Sequence, residues 1–79
     1  MAFVDDMVIT GTVKTKLAED RFIEDASNID VDTTNGVVTL GGTVGSEDEK
    51  REAELTTMGI EGVEQVINEI QVAPPKPQG

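Results

Sequence analysis

Apolar residues recur along this chain first with the period of a helix and later with the period of a strand. Near the start they lie four residues apart, at Ile9, Val13 and Leu17. This spacing puts them on one face of a helix. Asp5 or Asp6 can cap the start of that helix, and with Asp5 as the cap, Val4 takes the outer position of a hydrophobic staple. The pattern predicts a first helix that ends near Glu19 or Asp20.

A β-hairpin is predicted after this helix. A connection over residues 21–27 comes first, and we expect either Phe22 or Ile23 to fold back onto the core. Residues 29–33 then alternate between apolar and polar, which indicates a half-buried strand. Residues 37–40 continue as the second strand of the hairpin.

The loop between these two strands fixes their register. Asn35-Gly36 is the preferred pair for a two-residue type I′ loop, so Thr34 pairs with Val37. Counting back places Val31 opposite Leu40 and Thr33 opposite Val38. The face expected to meet the core carries Ile29, Val31, Val38 and Leu40. The opposite face carries Asp30, Asp32, Val37 and Thr39.

A second helix follows the hairpin. Ser46 and Glu49 have the spacing of a capping box, and three acids in the first turn suit the positive end of a helix dipole. The helix is predicted to run from Glu47 to Met58 or Ile60.

A last strand is predicted from Val63 or Glu64 to Val72. One of its faces carries Val66, Asn68, Ile70 and Val72, and the other carries Ile67, Glu69 and Gln71.

The predicted fold class is α+β, with the order α-β-β-α-β. We expect a two-layer sandwich in which two helices pack on one face of a three-stranded mixed sheet. A right-handed crossover through the second helix makes the last strand parallel to the second strand. The sequence leaves open which strand it lies beside.

The amino-acid composition excludes several kinds of catalytic and binding site. The 79 residues contain no Cys and no His, and the only aromatic residues are two Phe. Six basic and sixteen acidic residues give a net charge of −10, which repels nucleic acid and anionic membranes at long range. We therefore expect no nucleic-acid partner, no small-molecule substrate, no cofactor and no enzymatic activity.

The chain is predicted to be one domain with short flanking segments. We assign residues 1–4 to an N-terminal extension, residues 5–72 to the domain, and residues 73–79 to a Pro-rich linker or tail. The tail favours a domain cut from a longer, exported chain. A cytoplasmic location stays open because no signal peptide is visible. We expect the isolated domain to be monomeric.

Residues from Asp5 to Val72 resemble the BON domain, a module named for OsmY-like osmotically inducible and nodulation proteins. The most specific match is the string Asn-Gly-Val-Val-Thr-Leu-Gly-Gly-Thr-Val at residues 35–44, followed by the spacing from Gly62-Val63 to Asn68. The chain departs from the family at Gly41, where Ser is common. It also departs at residues 56 and 57, where two Thr replace an apolar residue and Ala and are expected to loosen helix packing slightly.

The resemblance implies a non-catalytic module of a cell-envelope, periplasmic or stress-related protein. Such domains are thought to bind phospholipid or envelope surfaces, so membrane lipid or an envelope protein is the expected partner. An arrangement with other modules has been linked to potassium binding. The family brings no catalytic residues to this chain.

Several short motifs have simpler structural interpretations. Asp30-x-Asp32 before Gly36 is spaced differently from a calcium loop, and Gly59-x-x-Gly62 lacks the basic residues of a nucleic-acid clamp. Both are better read as strand and turn residues. The acids at residues 47–54 favour at most diffuse cation binding, and Asn68 is expected to bond a backbone group.

Two surfaces remain as binding candidates. Val37, Thr39 and Ile67 form a small apolar patch on the sheet face away from the helices, which suits a protein partner. Lys14, Lys16 and Arg21, near the end of the first helix, are the only cluster of basic residues available for lipid headgroups.

Overall fold

The computed structural model describes residues 4–74 of the chain. Its elements are helix α1 (Asp6–Glu19), a 3-10 turn (Ala26–Asn28), strands β1 (Ile29–Thr34) and β2 (Val37–Val44), helix α2 (Glu47–Met58), and strands β3 (Gln65–Asn68) and β4 (Gln71–Val72). The predicted α+β class and element order are confirmed. Most of the predicted extension and most of the Pro-rich tail lie outside the described residues.

Strand β2 is the centre of the sheet. β1 pairs with it antiparallel in the predicted register, with Thr34 opposite Val37. β3 and β4 pair with β2 in parallel, as the crossover predicted. The structure also settles the neighbour of the last strand, which the sequence left open, because β3 lies beside β2 and away from β1.

The predicted last strand is interrupted but keeps its register. Leu40 lies opposite Asn68 before the break, and Thr43 lies opposite Gln71 after it, so the offset is 28 residues on both sides. At the break, the backbone N–H of Ile70 donates to the Asn68 side chain at 3.2 Å. An Asn side chain that captures a backbone donor competes with the sheet ladder, yet Ile70 still reaches the core.

The core is aliphatic and lies between the helices and one face of the sheet. Its buried members include Ile9, Val13 and Leu17 of α1, Val38 and Leu40 of β2, Ala53 of α2, and Ile70. Of the two candidates in the connection after α1, Ile23 is buried at 5% exposure while Phe22 is 53% exposed. The second threonine of α2, Thr57, is fully buried, and its hydroxyl donates to the Ala53 carbonyl at 2.7 Å.

A carboxylate attaches the hairpin loop to the start of α1. Asn35 and Gly36 have φ angles of 51° and 81°, as a type I′ loop requires. Their N–H groups donate to the two oxygens of Asp6, at 2.8 and 3.1 Å. Asp5 caps the helix by accepting from the Met7 N–H at 2.8 Å, so the two neighbouring acids have different partners.

The C-terminal end of α1 meets α2 through two carboxyl groups. Asp20 accepts hydrogen bonds from the Thr56 hydroxyl at 3.1 Å and from the Phe22 N–H at 2.9 Å. A hydrogen bond with Glu52 is the main cause that lowers the pKa of Asp20. The same bond, with burial and the nearby negative charge, raises the pKa of Glu52 above its ordinary value of 4.5.

Replacing Asp6 tests the attachment of the hairpin loop. Asp6→Asn puts an amide NH2 group against one of two N–H donors, so we expect the free energy of unfolding to fall by about 1.5 kcal/mol. Urea denaturation measures this change. Asp32→Asn removes the same charge from an exposed β1 side chain and should change stability by less than about 0.5 kcal/mol. Equal losses in the two variants would contradict the proposed role.

Replacing Glu52 tests the carboxyl pair. A raised pKa means that the folded chain holds the Glu52 proton more tightly than the unfolded chain does. That contribution to stability is present at acidic pH and is lost as the pH rises through the pKa of folded Glu52. Asp20 has the opposite sign, because its lowered pKa favours folding until the pH falls through the pKa of folded Asp20. The pair therefore stabilises the fold most in the acidic interval between the two values.

We expect Glu52→Gln to be more stable than the wild type at pH 7, because the amide removes the repulsion with Asp20. The difference should shrink as the pH falls below the pKa of folded Glu52. Urea denaturation at a series of pH values measures it. Glu61→Gln, at an exposed position in the turn after α2, is the control for a change in net charge. If the stability difference between Glu52→Gln and the wild type did not change with pH, a hydrogen bond between the carboxyl groups of Glu52 and Asp20 would be ruled out.

Candidate functional site

Three kinds of surface are left free by this architecture. The helices cover only one face of the sheet, so the other face, which we call the open face, is turned to solvent. The outer sides of the helices form the second surface. The outer edges of β1 and β3 form the third.

The open face brings together the three residues predicted for it. Thr39 of β2 lies opposite Ile67 of β3, and Val37 lies two residues earlier on β2. Ile67 is 40% exposed, and the other two are half-buried. The same register places Asp32 opposite Thr39 on the other side, so a small apolar centre has a carboxylate beside it.

The open face carries acids and no basic side chain among the described residues. Asp30 and Asp32 lie along β1, and Glu69 lies at the break after β3. By contrast, the basic residues of the described chain lie on the helices or directly after α1, at Lys14, Lys16, Arg21, Lys50 and Arg51. The open face is therefore acidic only, whereas the helical layer has basic side chains among its acids.

Lys14, Lys16 and Arg21 are all exposed, but the structure does not bring them onto one surface. Lys14 and Lys16 are two residues apart on a helix, which turns their side chains about 200° from each other. Lys14 lines a groove next to β1. Lys16 lines a shallow depression together with Val8 and Glu19, and Arg21 lies beyond the end of the helix.

Helix α1 has acidic residues only at its two ends, at Asp6 and Glu19. Residues 7–18 contain no acid and two lysines, whereas α2 contains five acids and two basic residues. Two apolar side chains on this helix are strongly exposed, Met7 at 83% and Val8 at 58%. This stretch without acids is visible in the sequence, although its basic residues are too few and too far apart to form a cluster.

A groove of about 450 Å³ runs between α1 and the outer edge of β1. The residues that line it are Lys14, Leu17, Ala18, Ala26, Ser27, Ile29, Asp30 and Val31. Its walls are mostly apolar, and its opening lies beside a strand that has a neighbour on only one side. No sequence pattern indicates this groove, because it depends on how α1 crosses the sheet.

Asn68, which is half-buried, and Glu49, which is buried, have structural partners away from these surfaces. The Asn68 amide donates to the Lys50 carbonyl at 2.9 Å and to the Glu54 carboxylate at 3.2 Å, which confirms the predicted bond to the backbone. The Glu49 carboxylate accepts from the N–H groups of Glu24 and Gly45, both at 3.1 Å. These hydrogen bonds explain why both polar side chains can be buried without binding a ligand.

The remaining sequence motifs have the expected structural roles. Asp30 and Asp32 are exposed on β1, and within residues 4–74 no three potential metal-binding side chains are grouped to hold an ion. Gly59 ends α2, and its N–H donates to the Thr56 carbonyl at 3.3 Å. No helix in the described part of the chain is both long and apolar enough to cross a bilayer.

Comparison with solved structures shows the same fold in a bacterial secretion protein. The C-terminal domain of CdsD, the structural protein of the type III secretion system of Chlamydia trachomatis, superposes with a TM-score of 0.74 and 22% identity over 90% of this chain. A second structure of CdsD gives a TM-score of 0.78 and 21% identity over 92% of the chain. The matched regions are 35% and 34% of those chains.

Comparison of sequences identifies the family. The osmotically inducible protein Y of Escherichia coli (strain K12) is 33% identical over 69 residues, which are 87% of this chain and 34% of that protein. The chain thus spans about a third of the length of this relative. The sequence profile of the BON domain matches residues 5–74, a range that includes every helix and strand of the structure. The chain belongs to the BON domain family.

Proposed function

We propose that this BON domain is a non-catalytic binding module of a longer cell-envelope or stress-related protein, and that it docks on phospholipid surfaces through the outer side of α1. The observation that carries the proposal is the stretch of residues 7–18, which contains no acid and in which Lys16 shares one side of the helix with the strongly exposed Val8. The family and the osmotically inducible relative support the envelope context.

The net charge of −10 does not prevent such docking at short range. At physiological ionic strength, charges more than about 8 Å apart are largely screened from each other. A membrane that touches the side of α1 formed by Val8 and Lys16 therefore responds mainly to the charges on that side, Lys16 and Glu19, while the acids of the open face lie behind the helical layer. Met7 and Val8 add apolar area that can enter the headgroup region.

A second candidate function is protein–protein interaction through the open face. It is favoured by the exposed Ile67 next to Thr39 and Val37, an apolar patch bordered by carboxylates. Ile67→Asp removes the apolar centre at a position that does not support the core. A partner that docks there should be lost in this variant, while lipid binding through α1 should be unchanged.

Lipid docking is tested by amide NMR spectra of the labelled chain, titrated with phosphatidylcholine bicelles or with bicelles that also contain phosphatidylglycerol. We expect shifts confined to α1 with the anionic bicelles, weakening as salt is raised. Lys16→Glu should reduce affinity at least about fivefold, since a basic side chain near an anionic surface contributes about 1 kcal/mol. Arg51→Glu, the same charge change at an exposed position on α2, is the matched control.

The apolar part of the docking surface has its own matched pair. Val8 and Leu55 are exposed to 58% and 56% on different helices, so each can be replaced by Asp without disturbing the core. We expect Val8→Asp to weaken binding to the anionic bicelles and Leu55→Asp to leave it unchanged. Shifts centred on Ile67 would favour the open face instead, and an unchanged spectrum would refute lipid docking by this domain.

A further inference from the structure

We propose that the outer edge of β1 binds an extended peptide strand of a protein partner, in which apolar and basic side chains alternate. This site is separate from the lipid-docking surface and does not depend on it. The proposal rests on three features of β1: its unpaired backbone groups, the groove beside it, and the two carboxylates on its other face.

The hairpin geometry shows which backbone groups of β1 are free. Thr34 and Val37 flank a two-residue loop, so they form a hydrogen-bonded pair. Because such pairs alternate along an antiparallel ladder, the N–H and C=O groups of Ile29, Val31 and Thr33 point away from β2. Within residues 4–74, no strand pairs with β1 on that side. An added strand can use these groups as its hydrogen-bond partners.

The groove between α1 and β1 provides a place for side chains of such a strand. Ile29 and Val31 point toward the helical layer, and they share the groove with Leu17 and Ala18 of α1. Its volume of about 450 Å³ lies within the range of about 300–1,000 Å³ that is typical of ligand sites. Every second side chain of an added strand points toward this groove, so the residues at those positions should be apolar.

The intervening side chains of an added strand lie next to Asp30 and Asp32 on the open face. Opposite charges on directly adjacent strands stabilise the pairing, and like charges destabilise it. Lys or Arg at these positions is therefore favoured. The alternation holds for a parallel or an antiparallel ligand, because successive side chains point to opposite faces in both.

The same carboxylates disfavour a second copy of this chain as the occupant. Pairing β1 with β1 of another molecule brings the aspartates of the two chains close together on the open face. Charged side chains on an edge strand are a common protection against such self-pairing. A partner with basic residues at these positions does not meet this repulsion and is also attracted by the net charge of −10.

The test uses the full 79-residue chain and synthetic capped peptides. The first peptide is acetyl-Thr-Val-Lys-Val-Lys-Val-Thr-amide. One control replaces both Lys by Glu, and a second control has the same composition in the order Val-Val-Val-Lys-Lys. We expect the first peptide to shift the amide signals of Ile29, Val31 and Thr33 and the methyl signals of Leu17. Both control peptides should bind at least about tenfold more weakly.

Charge reversal on β1 makes the test specific. In the variant Asp30→Lys with Asp32→Lys, the peptide with Glu should become the preferred ligand, with a change of about threefold in affinity for each reversed pair. The variant Glu19→Lys with Glu61→Lys adds the same charge away from β1 and should leave the order of the peptides unchanged. If both variants weaken the Lys peptide equally, the attraction is nonspecific and the proposal is wrong.

A second variant tests the backbone contribution. Val31→Pro removes an N–H that points away from β2, so it leaves the β1–β2 ladder without a lost bond. A dispersed amide spectrum shows whether the variant is folded, and the folded variant should lose peptide binding. If the aspartates serve only to protect the edge, none of the peptides shifts the signals of β1 in the wild type, and this result would overturn the proposal.

Discussion

The structure depends on a core that lies on one side of the sheet only. Two helices of 14 and 12 residues cover one face of a sheet that is three strands wide, and β2 supplies its most deeply buried strand residues, Val38 and Leu40. Within residues 4–74 no third layer covers the open face or the two outer edges of the sheet, and these are the places where a partner can add surface.

Carboxylates hold the ends of the helices against the loops around this small core. Asp6 accepts two N–H groups of the hairpin loop. Glu49 belongs to the cap of α2 through Ser46, but its carboxylate extends to Gly45 and to Glu24 in the connection after α1. Charge-assisted bonds of this kind are stronger than neutral ones. Part of the acidic excess is thus structural.

Much of the fold could be predicted from the sequence because local signals agreed with each other. The Asn35-Gly36 loop and the alternation of residues 29–33 indicated the same register, and Ser46 gave the start of α2. Other features depended on tertiary contacts. The choice of Ile23 over Phe22, and the position of β3 beside β2, were decided by how the layers pack. Gly42 is a similar case, since a Cβ on this residue, whose φ is 96°, would overlap the Asn28 carbonyl.

Predicting surfaces from the sequence was less successful than predicting elements. The open-face patch followed from the register alone, and Val37, Thr39 and Ile67 do lie together. Lys14 and Lys16 were grouped because they are close in sequence, although a separation of two residues on a helix puts them on different sides. The groove beside β1 had no sequence signal, because its walls come from α1, the 3-10 turn and β1, which meet only in the folded chain.

The chain is about a third as long as the osmotically inducible protein Y, and in a longer protein a surface that binds weakly by itself can still contribute to binding. The domain spans 34% of the osmotically inducible protein Y, so in a protein of that length the proposed surface on α1 would act beside other segments of the same chain. Once one segment is bound, a linked site meets its target at an effective concentration that reaches the millimolar range for short flexible linkers. A strand edge or a helix face of modest affinity can then contribute to binding without a deep pocket. A domain whose core occupies only one face of its sheet has the surfaces that this mode of binding requires.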